Sequence, residues 1–278
     1  MLKENRNILW LFERDTSLSV EQRIVLQAGL GDGARFAHQS CALAEVLVTV
    51  AEWVDTLVIP VGSVEFVRAV AEAQGFTATL AHTWPGTYPA RLYKYLRRSA
   101  WSQTWDEARA FASTHPVFVK PVRLEDIKRF TGTVIGGGRQ MPPEMDTIPG
   151  DMRVWCAVPV HFVSEFRVYI IHGETVGIAR YDQGESDQVP EPDRATIASM
   201  INDHLAASAG YGLDVGVLDT GETVLVEAND GWALGYYPGV SPGDYKALLA
   251  ARWQEIAAYV PPTSHCSCPQ TARFSGFR

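Results

Sequence analysis

Two acids and an amide, Asp214, Glu227 and Asn229, sit in the run GLDVGVLDTGETVLVEANDGW at a spacing that a β-hairpin would bring onto one face. Thr220-Gly221 separates two β-prone stretches, and an x-Gly pair is a favoured two-residue hairpin loop. With that loop the pairs run from 219:222 down to 214:227, so Asp214 opposes Glu227. Side chains alternate along a strand, which puts Asp214, Glu227 and Asn229 on one face and Val215, Val217, Val224 and Val226 on the other. Opposed carboxylates repel unless a cation or solvent relieves them. Two carboxylates plus an amide oxygen are a hard-oxygen set suited to Mg2+, with phosphate oxygens and water completing the shell. A solvent-facing acidic edge satisfies the same pattern, so the hairpin alone leaves both open.

Cations occur upstream. VFVKPV places Lys120 inside an otherwise apolar strand, where it either reaches solvent from an edge or meets an anion in a cleft. Lys128 precedes Arg129 and FTGTVIGGG (130–138), whose glycines permit close backbone approach to a ligand. Neither this run nor GDG at 31–33 is a Walker loop or a Rossmann fingerprint.

VWCAVPVHFVSEFRVYIIHGETVGIARYD (154–182) opens as an apolar strand, passes Pro159 and then makes a hairpin around His172-Gly173-Glu174. An apolar connector of this kind can offer backbone groups to an adenine edge while Val or Phe side chains sandwich the ring, although Pro159 also fits a plain strand end. Glu165 and Arg167 share one face of the first strand. A loop at His172-Gly173 opposes Glu165 to Arg180, and a loop at Gly173-Glu174 opposes Arg167 to Arg180. In either register a carboxylate and two guanidiniums cluster, either to hold a ribose and a planar phosphate or as a structural salt bridge.

These residues need a scaffold of two kinds. Strand 7–12, helix 35–53, strand 54–61, helix 64–74 capped by Ser63, and strand 76–81 after Gly75 imply a small parallel α/β unit. HTWPGTYPARLY (82–93) reads as a crossover or linker, followed by helical segments around 91–99 and 104–114. Beyond it come strands at 117–122, 129–135, 153–160, 165–171, 175–181, 213–218 and 223–228, with helices at about 190–208 and 242–259, which is an α+β pattern. The expected division is an N-terminal α/β domain over 1–94, a second domain over 95–260 and a flexible tail over 261–278.

Composition sets limits. The 278 residues are 46% hydrophobic and 20% charged, the profile of a globular chain. A net charge of −8 without a long basic block argues against a nucleic-acid surface. Four cysteines do not make a disulfide framework in a chain this long, and no segment has the form of a signal peptide or a membrane span, so a reducing cytoplasm is expected. His265, Cys266 and Cys268 lack a second pair and read as tail rather than a metal centre. Trp232, Tyr236 and Tyr237 suit either an acceptor pocket or the core.

The order of these features is a lysine strand, a lysine-containing glycine segment, an apolar hinge, a Glu-x-Arg hairpin, a helix, an Asp strand and a Glu-x-Asn strand. It resembles the ATP-grasp superfamily, and VFVKP, SEFRVYIIHG and LVEANDGWALGYY resemble its clade named for one arginine and two lysines. The resemblance covers about residues 95–258. It implies an α/β unit packed on an ATP-grasp domain, and ATP and Mg2+ as cofactors. By it, Lys120 and Lys128 hold ATP phosphates, Val158, Val160 and Phe162 lie near the adenine, and Glu165 accepts the ribose hydroxyls. Asp214, Glu227 and Asn229 ligate Mg2+, and Arg167 and Arg180, with Lys128, serve the γ-phosphate or acyl phosphate. The implied activity is a carboxylate–amine ligase working through an acyl phosphate on a small-molecule or peptide acid and an amine acceptor. A phosphotransferase that stops at a phosphorylated product, and a non-catalytic nucleotide-binding module, stay open as rivals.

Overall fold

The computed structural model describes residues 7–29, 36–53, 55–84, 86–122, 129–182, 189–205 and 207–259. In the N-terminal unit, β1 (Asn7–Glu13), β2 (Phe36–Cys41) and β3 (Thr56–Val61) form a parallel sheet in the order β2-β1-β3. The run Leu9–Phe12 is buried throughout, as a central parallel strand covered on both faces must be. α1 (Val20–Gln27) starts at a capping box in which Ser19 and Gln22 satisfy each other's backbone, and Ser63 Oγ accepts from Phe66 N to start α3 (Val64–Ala73).

Two expectations fail within this unit. Residues 35–53 are not one helix but β2, a 3-10 turn over Leu43–Glu45 and a short α2 (Val46–Ala51). The expected strand at 76–81 is α4 (Thr77–Thr83), which buries Leu80 and whose Thr83 Oγ1 accepts from Arg252 Nη2. The threonines of α4 carry strand propensity, but β2 occupies the third place in the sheet, so tertiary packing overrides it.

The second half holds two antiparallel sheets. The smaller has the order β4-β7-β5-β6, built from β4 (Ala100–Thr104), β5 (Val117–Pro121), β6 (Thr133–Ile135) and β7 (Arg153–Ala157). α5 (Trp105–Ala112), with a Thr104–Glu107 capping box, packs on it. The larger has the order β11-β10-β8-β9, from β8 (Phe162–Ile171), β9 (Glu174–Arg180), β10 (Gly210–Leu218) and β11 (Thr223–Asp230). α6 (Arg194–Asp203) and α7 (Pro242–Ala258) complete the chain, while 90–95 is a 3-10 turn instead of the expected helix. Architecture is therefore a parallel α/β unit joined to an α+β unit, as expected.

The large sheet has two different faces. Val168, Ile170, Leu213, Val215 and Leu225 bury with Ile197 and Met200 of α6. On the other face, Tyr169 and Ala179 join a core continuous with β1, α3 and α7. A Cβ on Gly210 would lie 2.3 Å from Leu248 O, so the glycine lets α7 lie directly on β10. Covering that end leaves the rest of the face, toward Glu165 and Asp214, for polar side chains. Among the described residues, no helix is long and apolar enough to cross a membrane.

Candidate active site

Asp214 does pair with Glu227, but not by the expected route. The loop has three residues, 219–221: Gly221 N donates to Leu218 O, Leu218 N donates to Glu222 O, and Gly221 has φ +83°. Regular pairing follows through Val217↔Thr223 and Val215↔Leu225, and a β-bulge between Val215 and Asp214 passes over Val226. The longer loop and the bulge cancel. As a consequence Leu225, rather than Val224 or Val226, opposes Val215 on the apolar face.

A row of charge crosses the sheet at this level. Asp214 also pairs with Arg167 on β8, so Arg167, Asp214 and Glu227 are consecutive neighbours on three strands. Arg167 Nε and Nη2 each donate to Asp214 at 2.8 Å, and Asn229 Nδ2 donates to Asp214 Oδ2 at 3.0 Å. Asp214 is 3% exposed and Arg167 9%. Burial works against the Arg167 charge, but the Asp214 carboxylate outweighs it and the net shift is upward. Lys120, on β5 of the small sheet, forms an ion pair with Glu227 Oε2, which closes the cleft between the two sheets. Its burial pulls the ammonium down to about 8, against the pull of Asp214. The two opposed carboxylates are thus offset by one cation each.

Glu165 shares the Arg167 face. Tyr181 Oη donates to Glu165 Oε2 at 2.9 Å, and burial, followed by the Asp214 charge, raises the Glu165 carboxyl. Tyr181 stacks on Tyr237 at 5.3 Å, and the Arg167 guanidinium lies 5.1 Å from the Tyr237 ring. Tyr237 therefore belongs to the site, whereas Trp232 is core and accepts a hydrogen bond from Trp253 Nε1 on its carbonyl. Sequence missed Tyr181 because its place beside Glu165 depends on a second bulge.

That bulge corrects the expected cluster of Glu165 with two arginines. The loop is His172-Gly173, with φ of 48° and 83°, but the register shifts between Tyr169 and Ile170, so Arg180 opposes Phe166. Phe166 points into the α6 core, and Arg180 is thereby set on the face away from Glu165 and Arg167. Arg180 instead grips Asp182 through Nε and Nη2, and Asp182 Oδ2 accepts from Glu165 N.

The hinge lies between β7 and β8. Val158 is 48% exposed and its N–H is spent on Ser99 O, so it offers no free donor there. Val160 is half-buried, and the Phe162 ring packs against Gly216, where a Cβ would come within 2.3 Å of it. Lys128 falls outside the described residues, as do GDG at 31–33, His265, Cys266 and Cys268. The glycines at 136–138 make a turn with three positive φ angles, and Gly136 approaches Ala112 O of α5 rather than open space.

The donor set fits Mg2+ bound together with a polyphosphate. Among the described residues no three His, Cys, Asp or Glu side chains converge, so Asp214, Glu227 and the Asn229 amide would leave much of the shell to phosphate oxygens.

In fold, the chain is similar to the D-alanine–D-alanine ligase from Bacillus anthracis in complex with ATP. The TM-score is 0.54 and the identity 15%, over 91% of this chain and 98% of that one. It is likewise similar to the D-cycloserine synthetase DcsG, at TM-score 0.50 and 12% identity over 90% and 99% of the two chains. At such identities the likeness is one of fold. No curated protein sequence matches the chain. The family described as ATP-grasp domain, family 2 of the clade named for one arginine and two lysines, matches residues 95–248, more than half the chain and the stretch that carries the whole charged row. On that match the protein belongs to this arginine-and-two-lysines clade of the ATP-grasp family.

Proposed function

We propose that the protein is an ATP-dependent carboxylate–amine ligase that activates its acid as an acyl phosphate. The family's members are mostly ATP-dependent ligases that use Mg2+. The observation that carries the reading is the unbroken row Arg167–Asp214–Glu227–Lys120 across a cleft between two sheets. An acid attacking a γ-phosphate is an anion meeting an anion, so the barrier is chiefly electrostatic. Bound Mg2+ would supply charge neutralisation at the phosphates.

This chain's residues would do the rest. Asp214, Glu227 and Asn229 hold the metal's protein-facing side, and Lys120 and Lys128 bind phosphate oxygens. Arg167, oriented by its two bonds to Asp214 and by Nη1 donating to Gly235 O at 3.4 Å, would meet the transferring group. Glu165, oriented by Tyr181, accepts ribose hydroxyls, and Val158, Val160 and Phe162 flank the base. Arg180 braces Asp182 and, through it, the Glu165 backbone. The amine then displaces phosphate from the acyl phosphate, giving an amide, ADP and phosphate, with no protein nucleophile. The partners are a small-molecule or peptide acid and an amine, in a cytoplasm where the buried Cys41 and Cys156 remain free thiols.

The test is a product assay with Mg-ATP, panels of acids, and amines present or withheld. Amine-dependent ADP together with an amide mass supports the ligase. ADP with a phosphorylated product and no need for amine replaces it with a phosphotransferase.

A further inference from the structure

The acidic hairpin depends on its bulge. If the pairing Val215↔Leu225 continued regularly, Val226 would face Asp214 and Glu227 would turn to the apolar side. Something must hold the extra residue in place, because β11 is an edge strand with only β10 beside it. The 87–98 segment supplies that hold.

Arg98 Nη1 donates to Leu225 O at 2.9 Å and Nη2 donates to Val226 O at 3.0 Å. Nη1 also donates to Leu96 O at 3.1 Å, which anchors the fork in its own turn. Two residues on, Thr87 O accepts from Ala228 N at 2.9 Å. The Arg98 guanidinium lies 5.7 Å from the Phe162 ring, and the neighbouring Tyr88 ring lies 5.6 Å from Lys120 Nζ. One segment thus touches the bulge, the hinge phenylalanine and the strand lysine.

We propose that Arg98 is a positioning residue: its planar fork clamps two successive carbonyls of the bulge and so keeps Glu227 opposite Asp214 for metal binding. This rests on the ligase reading for its metal, but the clamp itself does not. A lysine carries the charge but cannot span two carbonyls with a rigid fork. Arg97, the preceding residue, pairs with exposed Glu222 at 3.7 Å and serves as a control.

The experiment titrates Mg2+ against ADP release in wild type, R98K, R98M and R97M, with amide hydrogen exchange of β11 measured alongside. For R98K and R98M we expect the half-saturating Mg2+ concentration to rise about tenfold or more, with the KM for ATP at saturating Mg2+ held within about twofold. Exchange at Glu227 and Ala228 should quicken by a similar factor, about tenfold, as the clamp is lost. R97M should match wild type in both. Should R98M fail to fold, R98K carries the same expectation. An unchanged Mg2+ curve with unchanged exchange overturns the proposal. So does a loss confined to ATP affinity, which would make Arg98 a nucleotide contact. A wild type without Mg-ATP turnover sinks the ligase reading instead, and the exchange rates then decide the clamp alone.

Discussion

The two hairpins of the large sheet contain the same irregularity and use it oppositely. β8–β9 turns through two residues, and its bulge then moves every later pair by one, separating Arg180 from Glu165. β10–β11 turns through three, and its bulge returns the pairs to where a two-residue loop would have put them, uniting Asp214 with Glu227. Loop length alone therefore fixes neither site. The sum of loop and bulge decides which side chains share a face.

The sharpest way to break the comparison is to remove function from the united pair. Glu227→Gln should reduce ADP release by about 10² or more while the fold is kept, because one anionic metal ligand is lost. Wild-type turnover in that variant would remove Glu227 from the chemistry. Next come the two arginines. Arg167→Met leaves a nearly fully buried Asp214 without its bidentate partner and should cost about 3–5 kcal/mol. Arg180→Met removes a pair two residues apart whose side chains are more open to solvent than those of Arg167 and Asp214, and should cost less than Arg167→Met. Denaturant midpoints measure both, and equal losses would mean that the register difference has no energetic meaning.

What could be read beforehand follows from the same distinction. The Asp214–Glu227 pairing was legible, though only because two unseen departures cancelled. Seven of the eight strands in the second half were legible too, since alternation and turn residues are local signals in stretches such as FVSEFRVYII and TVLVEAND, while β4, the short strand Ala100–Thr104, was missed. Arg180 was misplaced because a bulge leaves no mark in residue type. β2 and α4 were exchanged for helix and strand because their fate depends on which segment fills the sheet beside β1, a long-range contact. Arg98 gave no signal at all: it stands in an ordinary Arg-Arg pair, and its role exists only once β11 lies beside it.

The apolar side of β10 gives a weaker test, by pH. His204, at the end of α6, stacks edge-on against Tyr211, and burial pulls its imidazole down to about 4. The fold keeps it neutral while the unfolded chain takes a proton below about 6.5, so stability falls as pH drops from there toward 4. The loss should reach about 2 kcal/mol at pH 5, and His204→Phe should abolish that slope. Thermal midpoints at pH 7 and 5 measure it, and a slope that survives in the variant would assign it to other groups.

The smallest expected effect separates the two loops themselves. Gly173 and Gly221 both have φ +83°, and neither would bring an added Cβ within 4 Å of anything, so alanine costs only backbone strain at each. That strain is about 1 kcal/mol in both, and the two variants should have matching denaturant midpoints. Their activities should not match. Relaxing the three-residue loop at Gly221 removes the offset that the β11 bulge corrects, and Glu227 then drifts from Asp214; relaxing His172-Gly173 leaves that pair untouched. Gly221→Ala should therefore raise the half-saturating Mg2+ concentration and Gly173→Ala should not, and equal Mg2+ curves would show that the bulge holds its register without help from the loop.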